Sequence, residues 1–86
     1  MPSYKLEFKP SLEKDLADIP RSIRDNVWKR IIGLAEDPCP AQALKLKGVR
    51  FSWRLRDGNY RILYQIDDAH RTIDVMAVKH RKEAYR

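Results

Sequence analysis

Between Val49 and Ile66 the chain alternates apolar and polar residues on both sides of an Asp-Gly pair, and a β-hairpin is the fold element that satisfies this pattern. Val49, Phe51, Trp53 and Leu55 alternate with Arg50, Ser52, Arg54 and Arg56, and Tyr60, Ile62, Tyr64 and Ile66 alternate with Arg61, Leu63 and Gln65. Successive side chains on a strand point to opposite faces, so one face is apolar and the other carries the arginines. Asp57-Gly58 reads as the two-residue loop, because both central positions of such a turn favour residues that tolerate positive φ. That loop sets Arg56 opposite Asn59, Arg54 opposite Arg61 and Ser52 opposite Leu63. Like charges directly opposite one another are destabilising by roughly 0.2–1 kcal/mol. A hairpin that sets Arg54 against Arg61 therefore makes most sense with an anion between them.

The rest of the chain supplies what covers the apolar face. Tyr4, Leu6 and Phe8 alternate with Lys5 and Glu7 as a short strand. Pro10 suits a first helical position, and Leu12, Leu16 and Ile19 follow at helical spacing. Pro20 stops that helix by forcing the preceding residue out of the α region. A longer helix follows, with Ile23, Val27, Ile31 and Leu34 as its apolar stripe and Trp28 and Ile32 beside it. Asp37-Pro38-Cys39-Pro40 ends it, and residues 67–70 make a second turn after the hairpin. The apolar run from Ile73 to Val78 reads as a strand buried on both faces and central in its sheet. The order β-α-α-β-β-β predicts a single α+β domain over residues 1–86. Its sheet is four-stranded and mostly antiparallel, with an αα-hairpin on one face and a basic open face.

Charge narrows the function. The formal charge is +6, yet Met1 to Ala43 hold seven basic and seven acidic residues, so the whole excess lies beyond Ala43. Between Leu44 and Arg61, Lys45, Lys47, Arg50, Arg54, Arg56 and Arg61 face the single acid Asp57. Clustered positive charge is the footprint of an anionic, phosphate-bearing partner. A solvated basic surface has the same composition, and from spacing and charge alone both readings stand. Phe51, Trp53, Tyr60, Tyr64 and Trp28 read as core rather than as base-stacking rings. His80 and Tyr85 lie after the last strand, where packing gives less reason for them. The one cysteine, Cys39, allows no internal disulfide, which fits a reducing compartment and a soluble, cytoplasmic protein. No apolar run is long enough to span a membrane. Neither metal-ligand spacing nor a Gly-rich phosphate loop is present, so no metal and no cofactor are expected.

Two stretches carry a resemblance. The run Trp53-Arg54-Leu55-Arg56-Asp57-Gly58-Asn59-Tyr60-Arg61-Ile62-Leu63-Tyr64-Gln65-Ile66 and the closing Val78-Lys79-His80-Arg81-Lys82-Glu83-Ala84-Tyr85-Arg86 resemble the RelE branch of the RelE/ParE toxins. Lys45-Leu46-Lys47-Gly48 and the αα-hairpin fit the same family. The resemblance implies a type II toxin that enters the ribosomal A site and cuts messenger RNA there. It also implies a cognate antitoxin that covers the basic surface. It places catalytic roles on Arg61 and Arg81, on Tyr85 near the C-terminus, and on Arg54. Lys45, Lys47, Arg50, Arg56, His80 and Lys82 become RNA-binding candidates. Where the family has a lysine proposed as proton acceptor, this chain has Ser52, a hydroxyl that cannot do that work unaided.

The chemistry of the residues is compatible with that reading. RNA carries its own nucleophile in the 2′-OH, so the protein must stabilise charge on the phosphorane and manage two protons. Arginine suits the first task, since its guanidinium stays charged and forks onto phosphate oxygens. Arg54, Arg61 and Arg81 form the expected clamp. Tyr85 and His80 are the nearest proton-shuttle candidates, with Lys45 or Lys47 behind them. The ParE branch, which poisons DNA gyrase, and a non-catalytic RNA-binding module are the alternatives.

Overall fold

The computed structural model describes residues 3–46 and 52–80, and their alternating stretches join one five-stranded sheet beside two helices. The elements are β1 (Lys5–Phe8), α1 (Ser11–Ala17), α2 (Arg21–Gly33), β2 (Ala43–Lys45), β3 (Ser52–Asp57), β4 (Tyr60–Asp67) and β5 (Thr72–His80). The strand order is β1-β5-β4-β3-β2, with β1 parallel to β5 and every other pair antiparallel. The α+β class and the mostly antiparallel sheet agree with the sequence reading. The fifth strand, β2, was not expected. It is three residues long, too short to display a period, and it exists through its pairing with β3.

Prolines organise the helices. Pro20 adopts an extended ψ of 140°, which breaks the chain between α1 and α2, and its carbonyl accepts the first bonds of α2 from Ile23 and Arg24. Arg24 then reaches back, its Nη2 donating to the carbonyls of Ile19 at 3.0 Å and Ala17 at 3.3 Å, where α1 ends. Those carbonyls lack intrahelical partners, so a guanidinium there satisfies the helix end and its dipole together. Leu12, Ile19, Val27, Ile31 and Leu34 pack on Leu55, Ile62, Tyr64, Ile66, Ile73, Val75 and Val78 to form the core.

Three expectations about burial are corrected. Ile23 and Trp28 are about two-fifths exposed, because α2 turns only the Val27–Ile31–Leu34 stripe onto the sheet. Trp28 instead packs against the exposed Phe8 at 5.6 Å. β5 is interior to the sheet but buried on one face. Met76 is an extra residue between the pairs Leu63↔Ala77 and Tyr64↔Val75, so the buried positions are Ile73, Val75 and Val78. A bulge that shifts the parity of a strand turns an alternating pattern into an apparent continuous run. Val49 and Phe51, also expected in the core, lie outside the described residues.

The hairpin register is corrected as well. Asp57 pairs with Tyr60, so the two-residue loop is Gly58-Asn59. Gly58 has φ of 61° and Asn59 is not among the positive-φ residues, the pattern of a turn with glycine first. A shift of one loop position moves the cross-strand sum by two, which preserves the faces and changes the partners. Arg61 now lies opposite Arg56, Arg54 opposite Leu63 and Ser52 opposite Gln65.

Candidate nucleic-acid interface

On the face away from the helices, the register lays side chains in rows across the sheet. At the hairpin end Arg56, Arg61 and Lys79 are directly opposed across β3, β4 and β5. The next row is Arg54, Leu63 and Ala77, with Leu44 of β2 beside Arg54. The row after the bulge is Ser52, Gln65, Asp74 and Glu7. The open face is thus cationic near the turn and acidic at the opposite end. A hollow of about 510 Å³ at the acidic end is lined by Glu7, Asp67, Asp68 and Asp74 among others.

Arg61 sits in the middle of the cationic row and is only 2% exposed, where the sequence reading had it on an open surface. It lies on the middle strand of the five, between Arg56 and Lys79 in its row. Charge–charge interactions strengthen as water is excluded, so an anion reaching Arg61 meets a stronger field than an exposed arginine provides. Arg56 is exposed and donates from Nε to the Gly58 carbonyl at 3.3 Å, which folds it over its own turn. On the far side of that turn Asp57 Oδ1 lies 3.9 Å from Arg30 Nε. Arg54 is half-buried, one strand position pair from Arg56.

Two candidates fall elsewhere. Lys45 pairs with Trp53 and so shares the helix-side face, where it borders a hollow with Asp37, Pro38, Cys39 and Asp68 rather than joining the arginines. His80 is the last residue of β5, not a residue beyond it. It pairs with Tyr60, and the two rings meet edge to face at 5.2 Å and 89°. That places His80 at the same end of the sheet as the cationic row but on the helix side. Lys47, Arg50, Arg81, Lys82 and Tyr85 lie outside the described residues. Among the described residues, no group of three His, Cys, Asp or Glu stands close enough to hold a metal, and no helix is long and apolar enough to cross a membrane.

Lys79 completes the row and was missed as a site residue. Its signal was present, since Val78 inward implies Lys79 outward, but the apolar run concealed the alternation. Groups with perturbed acidity lie at the other end of the sheet. A hydrogen bond to the Asp68 carboxylate, with some burial, raises the Tyr4 hydroxyl. The His70 side chain, 2.8 Å away, lowers the Asp67 carboxyl. Burial raises the Cys39 thiol, which suppresses its thiolate.

Residues 6–85 match the family model described as the ParE toxin of type II toxin–antitoxin systems. A curated relative, Toxin RelG of Mycobacterium tuberculosis, is 31% identical over 96% of this chain and 97% of its own. The toxin–antitoxin complex RelBE of the same organism contains a chain 31% identical, with a TM-score of 0.79, over 92% of this chain and 99% of that one. The intact RelBE complex of E. coli gives 26% identity and a TM-score of 0.74 over 90% and 95% of the two chains.

Proposed function

This chain belongs to the RelE/ParE superfamily of type II toxins, and from that premise we propose that it is a RelE-type endoribonuclease that cuts messenger RNA on the ribosome. The observation that carries the proposal is the row Arg56–Arg61–Lys79, with Arg54 beside it, at one end of the open face. A phosphodiester lying along that end meets a guanidinium shielded from water and two or three flanking cations.

In this reading the 2′-OH of the substrate attacks the adjacent phosphorus, and the 5′-oxygen of the next nucleotide leaves. Arg61 binds the non-bridging oxygens, whose charge grows in the transition state, and Arg54 and Arg81 complete the clamp. Arg56 and Lys79 hold the flanking phosphates. Arginine is a poor proton carrier, since it stays protonated at any physiological pH. Tyr85 is the group proposed to move protons; His80, turned to the helix side against Tyr60, and Ser52, buried beside Gln65, are not part of that step. The ribosome positions the message, which supplies part of the rate through orientation. Acting there makes the protein cytoplasmic. The structures of relatives bound to antitoxins support a cognate antitoxin for this chain. We propose that it covers Arg54, Arg61 and Arg81.

The test is primer extension on messages translated by programmed ribosomes, with and without the purified chain. Codon-phased cuts that need the ribosome are the expected result; intact messages overturn the proposal. The matching family model is described by its ParE member, so gyrase inhibition is the second reading. A supercoiling assay run beside the first separates the two.

A further inference from the structure

Strand β1 accompanies β5 only as far as the pair Phe8↔Val75, after which the Lys9 amide donates to the Val75 carbonyl at 3.1 Å. Among the described residues no strand continues along that edge of β5, and α1 lies against β5 instead. Asp15 of α1 uses both carboxylate oxygens there. Oδ2 accepts the Val78 backbone N–H at 3.2 Å, and Oδ1 lies 3.7 Å from Lys79 Nζ. The Asp15 side chain is 17% exposed, and its helix is fixed on the core by Leu12 and Leu16 on either side of it in sequence. Val78 is 4% exposed, so its N–H has little water to turn to, and a carboxylate is the strong kind of acceptor.

The location gives this contact a consequence beyond edge capping. Lys79 is the cross-strand partner of Arg61, and the chain passes from Lys79 through His80 to Arg81. We propose that Asp15 is a positioning residue for catalysis. It fixes the end of β5, from which the candidate catalytic segment departs, and holds the Lys79 ammonium at the sheet edge beside the Arg61 position. The proposal rests on the nuclease reading above. Asp15 touches no substrate in it; Asp15 acts through Val78 and Lys79.

Two variants separate its roles. Asp15→Asn keeps an oxygen acceptor for the Val78 N–H and loses the charge, whereas Asp15→Ala loses both. Single-turnover cleavage on programmed ribosomes, at a temperature where thermal unfolding shows every variant folded, gives rate and half-saturation separately. Asp15→Ala is expected to lose about 100-fold in rate, the scale of an ångström-sized misplacement, with half-saturation little changed. Asp15→Asn is expected to recover most of that rate. Amide exchange at Val78 should accelerate in the Ala variant and stay near wild type in the Asn variant. An Ala variant that cuts at the wild-type rate overturns the proposal; an equal loss of rate in both variants supports it through the Lys79 contact alone. A wild-type chain that cuts nothing while Val78 remains protected overturns the nuclease reading, and the catalytic role of Asp15 falls with it.

Discussion

Arg61 combines a permanent charge with 2% exposure and two cationic neighbours, Arg56 and Lys79, in its own row. In the proposed nuclease Arg61→Ala removes a charge-stabilising donor and is expected to lose about 100- to 1,000-fold in rate. Arg61→Lys retains charge but not the fork, so it should fall between wild type and Ala in the single-turnover assay. Arg61→Ala cleaving at the wild-type rate removes Arg61 from the site. Tyr64 makes a different statement at the same scale. It is fully buried, and its hydroxyl donates to the Pro38 carbonyl at 2.7 Å, tying β4 to the loop after α2. Tyr64→Phe should cost about 1 kcal/mol at neutral pH by deleting that bond. Burial raises the Tyr64 pKa above its ordinary value, so the folded state binds the proton more tightly than the unfolded chain. The contribution is therefore fully present below about pH 10 and is lost as pH rises beyond it. The stability gap between wild type and Tyr64→Phe should narrow above that pH in denaturant titrations; a gap that widens contradicts the assignment.

At the scale of elements, the hairpin decides which charges meet. Arg56, not Arg54, opposes Arg61, so Arg56→Gln should stabilise the chain by roughly 0.2–1 kcal/mol while Arg54→Gln should not. The gain should fade in high salt, since the repulsion is screened. Thermal unfolding at two salt concentrations checks both halves, and stabilisation by Arg54→Gln alone would return the hairpin to the other register. Here the limits of the sequence are plain. The alternation around Gly58 was enough to assign the described strand residues of the hairpin, Ser52 to Leu55 and Tyr60 to Ile66, their faces, because face depends only on parity. It was not enough to assign partners, because Asp-Gly and Gly-Asn are both competent loops and the choice between them is made by strand pairing. The Met76 bulge was hidden because Val75 to Val78 are all apolar, and β2 because three residues hold no period. Of the site, Arg54, Arg56 and Arg61 were legible from alternation alone. Lys45 was not, since charge near a strand does not say which face the strand presents, and β2 turns it toward Trp53.

Across the whole molecule the open face is a dipole, cationic at the Arg61 row and acidic at the row of Asp74 and Glu7. Arg61 and Gln65 are four residues apart on β4, a separation of about 13 Å at the usual strand rise. Screening at physiological salt acts over about 8 Å, so the acidic end does not cancel the cationic one. Among the described residues, RNA binding should then be governed by Arg54, Arg56, Arg61 and Lys79, with Lys79 partly engaged by Asp15 at 3.7 Å. Each phosphate neutralised on a single strand contributes about 0.7 to the slope of log affinity against log salt, so three to four contacts give roughly −2 to −3. Removing two charges together, Arg54→Gln with Arg56→Gln, should make that slope shallower by about 1.4. Asp74→Asn, on the acidic row, should leave it nearly unchanged. The measurement is fluorescence anisotropy of a labelled oligoribonucleotide titrated at several salt concentrations. If the double variant keeps the wild-type slope, RNA does not lie on this end of the sheet. If Asp74→Asn shifts it as far, the two ends act as one field and the division of the face is wrong.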